Sequence, residues 1–453
     1  MDQKDQTQRL ALATRFCLDT LAKDPGNFEA LNNLANIFYV QEKWPETQQI
    51  CQEIVQRYPD NVDAYVNLAH ALREDGKLKA ARRQYEIVLK LAPQHRGAHV
   101  GMIYILVLLG EDEAAQEHRR AAYQGAAAKI PPGYGKDYKI PMLVLIGGDG
   151  GDVPYKKLLN FHAFRVATLA IEFHDPAEPL PPHRIVFNAV GDADRSPASL
   201  QAAIRALAQT SAPVINSPTA VLATGRVANA ARLSRIAGVR TAKMVLLPRE
   251  QLAGPESAAT LAGEGLAFPL LLRAPGFHAG LNFVRMENAE ELAAVLPTVP
   301  GRELLVIEHL DVRKADGKIR KYRVMMIGGK LYPLHAAVSR QWKVHFFSAE
   351  MGESPENRAE DQAFLENMPE VLGEKAMRAL EAIRAELRLD YGGIDFSLDA
   401  EGGILLFEAN ANMRVDRPQP GAIWDYRRKP VERIFTAVLW MLQERANVAS
   451  QGK

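Results

Sequence analysis

The stretch YGGIDFSLDAEGGILLFEANANM, residues 391–413, governs how this chain is read. Two β-like runs, about 391–398 and 404–411, flank an Asp-Ala-Glu-Gly-Gly turn, which is a hairpin signal. With Glu401-Gly402 as a two-residue loop, facing residues have numbers summing to 803, so Asp395 lies opposite Glu408. Side chains alternate with period 2 along a strand, which puts Asn410 and Asn412 on the face of Glu408. One face then presents Asp395, Glu408, Asn410 and Asn412, while Ile394, Phe396, Leu398, Phe407 and Ala409 point the other way. Two carboxylates beside a carboxamide oxygen are hard oxygen ligands, suited to Mg²⁺ shared with substrate phosphates. The plain alternative is a solvated polar face on an edge hairpin.

Upstream, the patterns continue to alternate between strands and helices. Residues 321–333, KYRVMMIGGKLYP, read as a strand pair turning at Gly328-Gly329, and 304–310, LLVIEHL, as a buried strand. FPLLLRAPGFHAG, 268–280, is a strand ending in a glycine-containing loop, with Arg273 on the strand and Gly276 and Gly280 in the loop. Helices are expected at about 369–387 and 430–445, each with an apolar stripe at helical spacing that covers a sheet. Further upstream, 140–146, 184–189 and 213–216 read as strands and 199–210 as a helix, the spacing of βαβ units in a small parallel sheet. Asn188 and Asp192 sit just past a strand end, where open sheets bind ligands, so they are candidate substrate contacts. The loop GGDGGD at 147–152 follows a strand, as phosphate cradles do, but its two aspartates repel phosphate and favour a plain connection.

An Asp on one strand followed by Glu-x-Asn-x-Asn on the next resembles the metal end of the ATP-grasp fold. That superfamily includes D-alanine–D-alanine ligase, glutathione synthetase and the glutamate ligase acting on a ribosomal protein. The resemblance covers about residues 140–445 and includes VFNAV (186–190), NSP (216–218) and ARLSRIAGVRT (231–241). It implies ATP as cosubstrate and Mg²⁺, with Mn²⁺ as a substitute, held by Asp395, Glu408 and Asn410. The phosphate-side lysines of the family are replaced by Arg226 and Arg273, and Gly276 and Gly280 would close over the phosphates. Glu308 and the backbone of His309 and Leu310 correspond to the adenine hinge. Some relatives carry an acidic residue near the ribose where this chain has Lys321. Arg323 matches the arginine facing the reaction centre, Arg340, then Lys343, the transition-state cation, and Asn412 a substrate contact. The activity implied is carboxylate–amine ligation through an acyl phosphate, on small-molecule or peptide substrates. A grasp domain that binds nucleotide without ligating, beside an interaction module, and a phosphotransferase of the same fold both stay open.

The front of the chain is repetitive. Pro25, Pro59 and Pro93 recur every 34 residues. Leu31, Leu34, Ala35 and Phe38 match Tyr65, Leu68, Ala69 and Leu72, and Glu42, Gly76 and Gly110 mark the inter-helix turns. Thr47, Ala81 and Ala115 mark the small position of each second helix. These features resemble the tetratricopeptide repeat, as three units over about 24–126 after a lone helix at about 3–22. Each hairpin hides its apolar face by stacking on its neighbour. The resemblance implies a groove for a peptide or partner protein, with Asn33, Asn36, Asn67 and His70 as candidates to face it, solvated helix positions being the alternative.

Composition sets the outer limits. The 453 residues carry 55 Lys+Arg and 54 Asp+Glu, and residues 1–126 hold 15 basic and 17 acidic. Neither part is a charged tail, so a nucleic-acid binder is not expected. The two cysteines, Cys17 and Cys51, exclude a disulfide scaffold and read as small buried hydrophobes. No apolar run approaches the ~20 residues that span a bilayer, so a cytoplasmic protein without membrane contact is expected; a homo-oligomer stays open. The expected organisation is a multidomain chain: an all-α helical-hairpin repeat array (1–126), a linker (127–139), a small parallel-sheet α/β domain (140–218), an ATP-grasp domain (219–445) and a tail (446–453).

Overall fold

The computed structural model describes residues 3–123, 127–131, 139–148, 150–275, 282–344, 346, 349–418 and 421–451. The chain forms two compact units, Met1–Ala126 and Ala127–Lys453.

The first unit is all helical: α1 Gln3–Lys23, α2 Phe28–Val40, α3 Trp44–Arg57, α4 Val62–Glu74, α5 Leu78–Leu91, α6 Arg96–Leu109 and α7 Asp112–Tyr123. A lone helix thus precedes three hairpins, as the repeat implies. Its local chemistry repeats too. Asn27 Oδ1, Asn61 Oδ1 and His95 Nδ1 accept the N–H groups of Ala30, Ala64 and Ala98 at 3.0, 2.8 and 3.0 Å, capping α2, α4 and α6. Glu42, Gly76 and Gly110 adopt φ of 57°, 75° and 76°, the left-handed turn between the helices of each hairpin. Thr47, Ala81 and Ala115 are fully buried where the helices cross. Cys17 and Cys51 lie in the core, and burial pushes the Cys51 thiol up to about 12. Asn67 Nδ2 donates to Asn36 Oδ1 at 3.2 Å on the exposed side, and His70 lies among Tyr39 and Trp44.

The second unit begins with β1 Ala128–Lys129, β2 Ile140–Ile146, α8 Tyr155–Leu158, β3 Phe164–Ala170, β4 Ile185–Asn188, α9 Pro197–Leu207 and β5 Val214–Ile215. These make a sheet of order β1-β3-β2-β4-β5, parallel except for the antiparallel edge strand β1. Neither β1 nor β3 is expected from the sequence reading. Residues 164–170, FRVATLA, alternate only partly, because β3 is covered on both faces. Ala128–Lys129 falls in the stretch read as linker, but its pairing with Thr168 and Leu169 makes it part of the sheet.

Next come α10 Pro218–Leu222, α11 Arg226–Leu233, β6 Val239–Thr241, β7 Met244–Pro248, α12 Arg249–Leu252, α13 Ser257–Gly263, β8 Leu270–Arg273, β9 Phe283–Met286, α14 Ala289–Val295 and β10 Glu303–Glu308. The chain ends with β11 Ile319–Ile327, β12 Lys330–Ser339, α15 Pro355–Glu366, α16 Met368–Leu387, β13 Tyr391–Leu398, β14 Ile404–Asn410 and α17 Asp425–Gln451. A four-stranded antiparallel sheet has the order β7-β10-β8-β9, and a five-stranded sheet the order β12-β11-β13-β14-β6. Gly328 and Gly329, with φ of 55° and 78°, form the two-residue turn of β11–β12. One face of the five-stranded sheet packs on α16 through Ile394, Phe396, Leu406 and Ala409, and the other on α17 through Met325, Ile327 and Tyr391.

The hairpin that opened the sequence reading contains a compensated error. Leu398 faces Ile404, so the loop is residues 399–403, closed by Asp399, whose Oδ1 accepts the Glu401 and Gly403 N–H groups. The register then shifts between Asp395 and Phe396, leaving Phe407 as the extra residue of a bulge. The bulge restores the Asp395–Glu408 facing but turns Phe407 away from Phe396. Phe407 packs instead with Leu405 and Val312, on the opposite face from its expected position. Two further boundaries differ. α17 starts at Asp425, so Pro430 lies inside it, because Tyr426 donates to Asp361 Oδ2 at 2.7 Å and Arg427 pairs with the same carboxylate. The stretch read as a tail continues this helix, with Ala446 fully buried.

The left-handed turn positions of the first unit yield a direct test. Gly76→Ala should cost about 1–2 kcal/mol in denaturant unfolding of the full chain, and Glu42→Gly should stabilise it by up to about 1 kcal/mol. Equal effects of the two would contradict the shared turn conformation.

Candidate active site

Strand β11 carries Lys321 and Arg323 on one face, with Tyr322 between them packed on Phe364 and Phe396 in the core. Arg323 is in register with Asp395 on β13, and Asp395 with Glu408 on β14. The pairings set three charged side chains in a row across the sheet. Arg323 donates both arms of its fork to Asp395, Nε to Oδ1 at 2.5 Å and a terminal nitrogen to Oδ2 at 2.8 Å. Lys321 Nζ lies 2.7 Å from the same Oδ2. Asp395 is only 1% exposed. Burial opposes its charge, but Arg323 and then Lys321 outweigh burial and hold its carboxyl well below the usual carboxylate range. Arg323 is likewise opposed by burial and held charged by Asp395. His335, facing Arg323 on β12, is kept neutral by burial and then by Arg323.

Glu408 receives Arg226 at 3.1 Å and the Asn410 amide at 2.8 Å on Oε1. Arg226 opens α11 and also reaches Asp194 at 2.9 Å and Asp192 at 3.8 Å. Asp194 accepts the Arg226 backbone N–H, so it caps α11 from a distant loop. A Cβ at Gly225 would lie 2.8 Å from Asp194 Oδ1, which is why a glycine precedes the helix. Burial opposes the Arg226 charge, but Glu408, Asp192 and Asp194 hold its pKa above the ordinary value. Arg273, on β8, lies over the Phe283 ring; burial and then Arg226 lower its pKa, with Glu408, Asp192 and Asp194 acting the other way. Four cations (Arg226, Arg273, Lys321, Arg323) and four carboxylates (Asp192, Asp194, Asp395, Glu408) therefore share one locality. Beside it lies a small cleft lined by Arg226, Glu408 and Asn410 and by the apolar Leu233, Met244 and Leu406.

The small parallel sheet supplies the other wall. Asn412 donates its N–H to Asn410 Oδ1 at 2.9 Å and lies against Gly191, whose Cβ would sit 3.1 Å from Asn412 Cβ. Asp192 Oδ1 accepts the N–H groups of Asp194 and Arg195, shaping this loop. Asn188 is buried and donates to Asn216 O at 3.0 Å, which ties β4 to β5. Asn216 in turn exchanges two 2.8 Å bonds with the backbone of Tyr391, a seam that the sequence reading does not contain. In the 147–152 loop, Gly147 and Gly148 donate to Asp152 and Glu172, so these backbone donors already serve carboxylates.

Other candidates have partners outside this cluster. Arg340 is exposed, one residue past the Ser339–Ile319 pair and beside Gly317. Lys343 donates to Phe283 O at 3.3 Å, and burial lowers its pKa. Glu308 accepts the Lys243 N–H at 3.0 Å and Arg240 at 3.2 Å, with half-buried His309 and Leu310 following it. Gly276 and Gly280 lie outside the described residues. Sequence reasoning missed Asp194 and the pairing of Lys321; the only local signals are the glycine before Arg226 and the one-residue spacing of Lys321 and Arg323.

For a divalent ion, the donor chemistry fits: two carboxylates in register with a carboxamide two residues on. No group of three or more His, Cys, Asp or Glu among the described residues could hold a metal, so the fit rests on Asp395, Glu408 and Asn410. Both Asp395 oxygens already receive cationic donors, and the Asn410 oxygen accepts the Asn412 N–H.

With this geometry in place, comparison with known proteins adds the following. A tetratricopeptide-repeat family model matches residues 50–83. No curated protein matches the chain. Among solved structures, the chain is similar to D-alanine–D-alanine ligase from Bacillus anthracis complexed with ATP. The identity is 13%, covering 70% of this chain and 100% of that one, with a TM-score of 0.44. VanG D-Ala:D-Ser ligase from Enterococcus faecalis is 13% identical over 68% of this chain and 99% of its own, with a TM-score of 0.43. MamA MSR-1 is 21% identical over 26% of this chain and 67% of its own, with a TM-score of 0.24. The repeat read in the sequence thus has a family-model match, over residues 50–83.

Asp395→Asn should cost about 3–5 kcal/mol of stability, because it leaves Arg323 buried without a countercharge. Glu408→Gln, at a more exposed pair, should cost less than about 1 kcal/mol. The depressed Asp395 carboxyl contributes stability that is present above its unfolded pKa and lost as pH falls through the folded one. In acid unfolding, the gap between wild type and Asp395→Asn should therefore hold from pH 7 down to about 4 and close only below that.

Proposed function

We propose that the second unit is an ATP-dependent carboxylate–amine ligase working through an acyl phosphate, and that the repeat unit recruits a peptide or protein. The observation that carries this reading is the row Arg323–Asp395–Glu408, set in register across three strands and joined by Arg226 and Arg273. Four cations at one locality suit a polyphosphate, and the small adjoining cleft has apolar lining from Leu233, Met244 and Leu406 beside Arg226 and Glu408. Arg226 Nε is buried and finds no hydrogen-bond partner among the described residues, a donor well suited to a phosphate oxygen.

In this reading Arg226 and Arg273 hold the phosphates. Their forks supply charge and geometry where the family has lysines. The resemblance gives Asp395, Glu408 and Asn410 to Mg²⁺, or Mn²⁺ as a substitute; with both Asp395 oxygens taken by Arg323 and Lys321, the Glu408 and Asn410 end of the row would hold it. Such an ion, when bound, offsets the negative charge that develops on transferring phosphate oxygens. Arg323, fixed by Asp395 and charged throughout, faces the carbonyl centre. It stabilises the oxyanion formed when the amine attacks the acyl phosphate. Asp192 and Asn412, on the wall formed by the parallel sheet, orient the carboxylate and amine substrates, and Asn188 fixes that wall from behind. Small molecules or peptides are both accommodated by this chemistry. On the repeat unit, Asn33, Asn36, Asn67 and His70 are the positions proposed to meet a peptide or protein.

Screening amino acids and peptides with ATP should reveal a pair that triggers equal release of ADP and phosphate. Glu408→Gln should lower that rate by about 10²–10³-fold with the fold intact. Nucleotide binding without any substrate-stimulated release would instead favour a binding module. ADP formed without phosphate, with a phosphorylated product, would identify a phosphotransferase.

A further inference from the structure

Lys321 is one of the four clustered cations, but its place beside Asp395 gives it a role separate from the three arginines. It lies two residues before Arg323 on the same face of β11, and its Nζ is 2.7 Å from Asp395 Oδ2. Arg323 already donates to both oxygens of that carboxylate, so Asp395 is neutralised without Lys321. A second cation on a 1% exposed carboxylate must therefore serve something else at the site. Lys321 keeps 20% of its side chain exposed, and an ammonium group has three N–H donors, of which Asp395 takes one. The others are available to an anion on the accessible side. A divalent ion approaching Asp395 would meet Lys321 and Arg323 at contact distance, a like-charge encounter in a poorly solvated site. Glu408 and Asn410, on the next strand, are the less enclosed end of the same row.

We propose that Lys321 is a phosphate-binding residue that stands in for a divalent ion at Asp395, so that nucleotide binding here is largely independent of divalent metal. Metal dependence then belongs to turnover and to the Glu408 end of the row. The inference rests on the nucleotide reading above and assigns Lys321 a role there.

The test is nucleotide affinity, measured by titration calorimetry with ATP in excess EDTA and in millimolar Mg²⁺, on wild type, Lys321→Met and Lys321→Arg. Lys321→Met keeps the Arg323–Asp395 fork and so should fold; a thermal melt checks this. Wild type and Lys321→Arg should bind ATP in EDTA within about tenfold of their affinity in Mg²⁺. Lys321→Met should lose about 10–100-fold in EDTA, the weight of one hydrogen bond to a charged group, and recover part of it in Mg²⁺. Manganese binding without nucleotide, followed by electron paramagnetic resonance, should be tighter in Lys321→Met than in wild type. The inference is overturned if wild type binds ATP only with Mg²⁺, or if Lys321→Met matches wild type in EDTA. Failure of every protein to bind ATP under both conditions would instead overturn the nucleotide reading and take this inference with it.

Discussion

The ion pair between Arg323 and Asp395 is the constraint around which the second unit is arranged. Both charges are withdrawn from water, which costs several kcal/mol per ion unless geometry and hydrogen bonds offset it. Here the offset is a two-armed contact at 2.5 and 2.8 Å, supplemented by Lys321. Such a pair tolerates no sliding, so it sets the register of β11 against β13. That register in turn decides that Tyr322, Ile394 and Phe396 face α16 while Lys321 and Arg323 face the site. Removing either partner would leave a buried charge, which makes the pair a specifier of position more than a source of net stability.

A site built this way needs its walls fixed to the same sheet. Asn216, at a left-handed φ of 57°, exchanges hydrogen bonds with Tyr391 at the start of β13, and its own N–H goes to Asp390. This seam joins the last strand of the parallel sheet to the strand that carries Asp395. A second seam is electrostatic: Arg226 bridges Asp194, from the loop after β4, to Glu408 on β14. A third is steric, where Asn412 fits against Gly191. The candidate substrate wall and the candidate metal end are therefore held to one frame at three points, which is what positioning by a rigid scaffold requires.

How much of this was legible in the sequence follows from the range of each interaction. The repeat was readable because each hairpin reuses the same local chemistry, from Pro25, Pro59 and Pro93 to the turns at Glu42, Gly76 and Gly110. The facing of Asp395 and Glu408 was readable because two strands joined by a short loop have few registers, although the bulge at Phe407 was needed to make the count come right. Contacts between residues far apart in the chain were not readable. Nothing near Lys321 announces that it will meet a carboxylate more than seventy residues later, and Asn216 looks like a turn residue until Tyr391 is beside it. Strand β3 escaped because burial on both faces erases the alternation by which strands are recognised. Glu308 shows a different limit: its position at a strand end was clear, but its acceptors serve Lys243 and Arg240.

The charge balance at the site bears on what can enter it. Arg226, Arg273, Lys321 and Arg323 are matched by Asp192, Asp194, Asp395 and Glu408, so the resting cluster is close to neutral. A polyanion entering a neutral cluster gains little from bulk attraction and must instead reorganise the local pairs. The partners differ in how readily they can do so. Arg323 is bound by two arms to a buried carboxylate, whereas Arg226 divides its donors among Asp192, Asp194 and Glu408. Swapping a carboxylate for a phosphate at Arg226 therefore costs less than displacing Arg323. The cluster thus separates into a fixed half, which holds the sheet in register, and an exchangeable half, where ligand charge can replace protein charge.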